Sequence, residues 1–157
     1  MRYHVKFPVG HDWGSKGGKL PGMFAGMEGS ESGFSHGNGW STRYMWRNSS
    51  ANSEVYYYTG CSGGAGIDLP MSFNWQADGK WHSIEQAVDR KAGTVQAWYD
   101  GNQVLAPTSL GCDISVLPFG GVFFSTFYGG HDTTWGPSVD SSAEFADFEV
   151  STTYIGP

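Results

Sequence analysis

Short runs in which apolar and polar residues alternate, each closed by a glycine-containing turn, recur along the whole chain, and no long window carries the helical apolar period of about 3.6 residues. Strand-like runs fall at Tyr3–Phe7, Trp40–Trp46, Glu54–Tyr58, Met71–Asn74, Trp81–Val88, Val95–Tyr99, Val104–Leu105, Val122–Tyr128 and Glu144–Val150. Two Asp-Gly pairs punctuate them, Asp78-Gly79 before Trp81–Val88 and Asp100-Gly101 after Val95–Tyr99. Asp-Gly between alternating apolar runs is the strongest short-range hairpin signal, so both pairs predict hairpins. With 24 glycines in 157 residues and 16% aromatics, the composition favours the same answer over helices. The expectation is an all-β chain with almost no helix, an antiparallel sandwich or jelly roll. No internal repeat or linker divides the chain, so residues 1–157 read as one domain. The Gly/Ser-rich stretch Gly26–Gly39 reads as a loop, either a substrate-facing flap or plain surface.

Charge narrows the partners. A formal net charge of -6 with only nine Lys and Arg leaves no basic stripe for displacing counterions from phosphates, which argues against nucleic acid. A polyanion of another kind stays open if the few cations cluster. No apolar run approaches the roughly 20 residues of a membrane span. Cys61 and Cys112 can form one disulfide or remain two buried thiols.

Such a cation cluster is foreshadowed in "GWSTRYMWR", Gly39–Arg47. On a strand, Ser41, Arg43, Met45 and Arg47 face one way and Thr42, Tyr44 and Trp46 the other. One face reads as core, while the other carries two permanent positive charges that require an anionic partner. Arg47, at the strand end, reads as a solvated or ion-paired residue outside the site. In "EVYYY", Glu54–Tyr58, the same parity sends Tyr57 to the core and pairs Tyr56 with Tyr58 on the opposite face.

The segment Asp78–Val104, "DGKWHSIEQAVDRKAGTVQAWYDGNQV", resembles the hairpin signature of the concanavalin A-like jelly rolls. Around it "GGKLPGMFAG" (Gly17–Gly26), "GWSTRYMWR", "EVYYY" and "FFSTFYGGHDTTW" (Phe123–Trp135) follow one another in an order similar to polysaccharide lyase family 14 and to the related glucuronan lyases of family 20. That resemblance implies cleavage of a linear polyuronate, alginate or glucuronan, by endo-acting β-elimination to 4,5-unsaturated oligouronates. It places catalytic roles on Lys19, Arg43, Tyr56 and Tyr58, and substrate binding on Ser41, with His131 a further candidate. It requires no catalytic metal or other cofactor. Asp132, Asp140 and Asp147 are the carboxylates near enough in sequence to suggest a structural Ca²⁺, on a spacing that matches no defined loop. The expected partner is an anionic polysaccharide, with no nucleic acid and no membrane. The expected protein is a secreted, extracellular monomer whose signal peptide is not among these residues.

The chemistry asks for the same residue types. β-Elimination from a uronate needs its C5 carboxylate neutralised, a base for the C5 proton and an acid for the departing O4. Arg43 suits the first task, because a guanidinium stays charged and grips a carboxylate in a fork. Lysine and tyrosine can serve as base and acid once their surroundings shift their pKa values, and cations near Tyr56 or Tyr58 are expected to favour the tyrosinate. The competing readings are a non-catalytic carbohydrate-binding jelly roll, with Trp13, Trp40, Trp98 or Trp135 stacking on sugars, and a purely structural β-domain.

Overall fold

The computed structural model describes residues 1–26, 39–59, 66–115, 117–130 and 132–157. Regular structure among them consists of eleven strands and one short 3₁₀ turn at Thr133–Trp135. The strands are β1 (Arg2–Lys6), β2 (Gly17–Gly26), β3 (Gly39–Arg47), β4 (Asn52–Thr59), β5 (Ile67–Asn74), β6 (His82–Asp89), β7 (Thr94–Tyr99), β8 (Asn102–Ser109), β9 (Phe119–Phe123), β10 (Phe127–Tyr128) and β11 (Glu144–Glu149). One sheet runs β11-β1-β6-β7-β8; the other runs β10-β2-β3-β4-β5, with β9 also paired to β2. All of the pairings are antiparallel. The architecture is the expected all-β jelly-roll sandwich.

Alternation decides what lies between the sheets. Tyr3 and Val5 of β1, Ile84 of β6 and Val95 and Ala97 of β7 meet Leu20, Trp40, Tyr44, Trp46, Val55 and Tyr57 in one buried cluster. Burying side chains of this size stabilises by about 1.5–3 kcal/mol each. A buried polar clasp fixes the sheets relative to each other: Gln86 Nε2 donates to the Thr42 carbonyl at 2.9 Å, and the Thr42 hydroxyl donates to Gln86 Oε1. Trp40 is wholly buried and offers no face to a sugar, while Trp13 packs, partly buried, on the same cluster.

The two Asp-Gly pairs part company. Asp100 (φ 48°) and Gly101 (φ 75°) make a tight hairpin that pairs Tyr99 with Asn102, as expected. Asp78-Gly79 does not. It joins β5 of one sheet to β6 of the other, with Gly79 N donating to Phe7 O at 3.0 Å. Asp-Gly specifies a left-handed local turn and says nothing about which sheet receives the next strand. His82 links the two turns through Asp100 (2.7 Å) and Asp78 (3.2 Å).

The larger surprise is β2. Gly17–Gly26 falls outside every strand-like run of the sequence, yet it is a ten-residue strand lying against β3, β9 and β10. A register shift between Leu20 and Met23 accommodates Pro21, which cannot donate to a ladder. The glycines permit close approach: a Cβ on Gly18 would lie 2.1 Å from Trp46 Cζ2. Gly18→Ala is therefore expected to destabilise the chain by about 1–3 kcal/mol, read as a lower urea midpoint at unchanged slope. An unchanged midpoint would mean that the Trp46 ring has room to move. The predicted run Val122–Tyr128 divides into β9 and β10, which pair with β2 on either side of the same irregularity.

Cys112 is disulfide-bonded, which removes a free thiol there; Cys61 lies outside the described residues. The three aspartates proposed for Ca²⁺ do not assemble, and no group of three or more metal-ligating side chains occurs among the described residues. Asp132 caps the 3₁₀ turn and Asp147 pairs with His4. Among the described residues no helix is long and apolar enough to cross a membrane.

Candidate active site

Three cross-strand rows build the site on the face of the six-stranded sheet turned away from the core. Directly paired residues of antiparallel strands share a face. Lys19 pairs with Met45 and Met45 with Glu54; Arg43 pairs with Tyr56 and Tyr56 with Asp68; Ser41 pairs with Tyr58. Lys19, Ser41, Arg43, Tyr56 and Tyr58, all expected from sequence, thus come together. His131 lies outside the described residues, as do residues 27–38 of the glycine-rich stretch.

Although this face points outward, its cations are shielded. Lys19 is 9% exposed and Arg43 6%. Phe123 lies 5.0 Å from Arg43 Cζ, and Phe127, paired with Lys19 across β10, lies 5.3 Å from Lys19 Nζ. The Tyr56 ring is at the centre of the group. Lys19 Nζ is 4.7 Å from its centroid, Arg47 Cζ 5.6 Å and Arg43 Cζ 5.9 Å, while Tyr58 stacks on it at 5.8 Å. Gly66 makes room for that ring: a Cβ there would stand 1.9 Å from Tyr56 Cζ.

The two arginines differ in what meets their charge. Arg47 Nε donates to Glu54 Oε1 at 2.7 Å and Nη2 to Asp68 Oδ1 at 2.6 Å. Arg43 has no carboxylate partner among the described residues, and its buried Nε is without a hydrogen bond. The buried Ser41 hydroxyl is likewise without one. A permanent charge and two polar groups held nearly dry and unpaired are costly to maintain, and an arriving carboxylate satisfies them.

Burial also sets the proton affinities. It is the first cause lowering the Lys19 amine to about 8, reinforced by Arg43 and Arg47 and opposed by Glu54 and Asp68. Burial likewise raises the Glu54 carboxyl to about 7, with Asp68 adding to the rise and Arg47 opposing it. The expectation of a favoured tyrosinate fails at Tyr56. Burial raises its hydroxyl above the ordinary phenol value, and Tyr58 adds to this, outweighing Arg43 and Arg47. Loss of hydration counts for more here than cations standing at the ring face.

Sequence reasoning missed Glu54, Asp68 and the place of Arg47. Glu54 carried a usable signal, since it shares strand parity with Tyr56 and Tyr58. Arg47 is ion-paired as expected, but its partners are part of this cluster. Asp68 reaches the site only through the β4–β5 pairing, which no local pattern announces.

The sequence model of the family described as Polysaccharide lyase 14 matches residues 1–148. The chain belongs to this family. Among solved structures, it is similar to the marine family 14 alginate lyase from Aplysia kurodai at 25% identity and a TM-score of 0.67, over 92% of this chain and 66% of that one. Alginate lyase Aly36B matches at 26% identity and 0.65, over 92% and 65%. The Chlorella virus alginate lyase vAL-1 shares the fold at 22% identity and 0.65, over 92% and 66%. This family 14 chain therefore spans just under two thirds of the length of these proteins. No curated protein matches it significantly by sequence.

Proposed function

We propose that this family 14 chain is a lyase that cuts a linear polyuronate, alginate in the first instance, by endo-acting β-elimination. The observation that carries the reading is Arg43, a buried guanidinium with an unpartnered Nε beside an amine and two phenols. Arg43 and Ser41 hold the C5 carboxylate, and its neutralised charge makes the C5 proton acidic. The Lys19 amine takes that proton, the C–H pair becomes the C4–C5 double bond, and the C4–O4 bond breaks. A hydroxyl of the Tyr56–Tyr58 pair protonates the departing O4. Lysine as base and tyrosine as acid follow from burial, which favours the neutral form of each. The alginate lyases of the same fold support alginate as substrate, and one Aly36B variant, with a lysine and a tyrosine changed to alanine, was solved with an alginate tetrasaccharide. Secretion as an extracellular monomer fits a polymeric substrate outside the cell.

The test is absorbance in the ultraviolet band of an unsaturated uronate when the protein meets alginate and, separately, glucuronan. A rise with alginate is the expected result. Tight binding of both polymers without any rise would instead establish a carbohydrate-binding module. The pH profile has a definite sign: a neutral amine is the active form, so kcat/KM should fall as pH drops through about 8. A profile flat from pH 6 to 9, to within about twofold, would rule out Lys19 as the base.

A further inference from the structure

Arg47 is the third cation on this face, and among the described residues it, unlike Arg43, is ion-paired within the protein. It sits at the end of β3 and reaches a carboxylate on each of the next two strands, Glu54 of β4 and Asp68 of β5. Both contacts are short, at 2.7 and 2.6 Å, and Glu54 is only 5% exposed. Its Cζ also stands 5.6 Å from the Tyr56 ring, the ring that Lys19 Nζ approaches at 4.7 Å. A guanidinium tied at two points keeps one orientation, which a solvated surface arginine does not.

We propose that Arg47 is a positioning residue of this site: clamped by Glu54 and Asp68, it braces the Tyr56 ring and fixes a permanent positive charge beside Lys19. Its functional meaning rests on the lyase reading of the site. Among the described residues, the groups facing Lys19 are Arg43 and Arg47 from β3, Glu54 and Tyr56 from β4, Asp68 from β5 and the uncharged Phe127 from β10. With Arg47 present the two arginines balance the two carboxylates. Without it Glu54 and Asp68 face the amine with only Arg43 opposing them, and Lys19 holds its proton more tightly. Removing the Glu54 charge does the reverse.

The experiment measures the pH dependence of Lys19 acetylation by acetic anhydride, read by peptide mass spectrometry on the full chain, beside kcat/KM on alginate. Wild type should label with a midpoint near 8. In Arg47→Met the midpoint should rise by about one pH unit, a tenfold change in proton affinity, and the acidic limb of kcat/KM should move with it. Arg47→Lys keeps the charge and should hold the midpoint near wild type, while Glu54→Gln should lower it. A midpoint unchanged in a folded Arg47→Met protein overturns the proposal. If that variant does not fold, an unchanged midpoint in Glu54→Gln overturns it equally. Midpoints that shift as described in a protein that cleaves no polyuronate would leave the Arg47–Lys19 coupling standing and refute the lyase reading alone.

Discussion

Arg43→Lys is expected to lower turnover on alginate by about 100- to 1,000-fold, the scale of losing one preorganised charge-stabilising contact. Three features of its surroundings make this exchange of one cation for another severe. The guanidinium is buried, with Cζ 5.0 Å from the Phe123 ring and 5.9 Å from the Tyr56 ring, and its Nε makes no hydrogen bond among the described residues. A lysine there loses the two-pronged grip on a carboxylate. It would also stand in a dry environment beside Lys19 with no carboxylate of its own, and an ammonium, unlike a guanidinium, can escape by releasing its proton. The substituted site would then present little charge to the uronate. Circular dichroism should show the fold retained, because Arg43 makes no ion pair among the described residues that its loss would break. Turnover within tenfold of wild type would mean that the substrate carboxylate is neutralised elsewhere.

The tyrosines provide the second large effect. At least one of Tyr56→Phe and Tyr58→Phe should lose about 100-fold or more in turnover, the range of a missing general acid. Each keeps the ring, so the 5.8 Å stack between them and the cations around Tyr56 persist, and stability should change little. Tyr57→Phe is the control. Tyr57 is wholly buried on the opposite face of β4, and its hydroxyl cannot reach a substrate bound over Arg43. The measurement is single-turnover formation of the unsaturated product by all three variants. Normal rates in both outward-facing variants would remove the tyrosines from the mechanism and leave the O4 proton to another donor.

The register at the centre of the site is legible in the sequence itself. Strand alternation alone sets Ser41, Arg43, Met45 and Arg47 against Thr42, Tyr44 and Trp46, and Tyr57 against its neighbours. The pairs Arg43–Tyr56 and Ser41–Tyr58 follow that parity. The side-chain period of a strand is two, so a single misplaced residue would have inverted the whole face. Asp100-Gly101 is legible for a related reason, since a two-residue hairpin is specified by its own dihedral angles.

What local patterns cannot carry is the identity of the neighbour. Asp78-Gly79 has the same residues as its twin and crosses between sheets, because the destination of β6 depends on the packing of β1 and β7 beside it. Lys19 lies outside every strand-like run of the sequence. It becomes a buried amine because β3, β9 and β10 close on a glycine-rich strand whose lack of side chains admits them. Arg47 reads as a solvated or ion-paired residue outside the site and becomes part of its charge network because β4 and β5 bring Glu54 and Asp68 to it. By itself the sequence determined the fold class, the two faces of each strand, and the residues with the right chemistry for a polyuronate. Only the tertiary structure decided which of those residues are dry. Desolvation is a property of everything packed around a group, and it is desolvation that lowers Lys19, raises Tyr56 and makes the unbonded Nε of Arg43 costly.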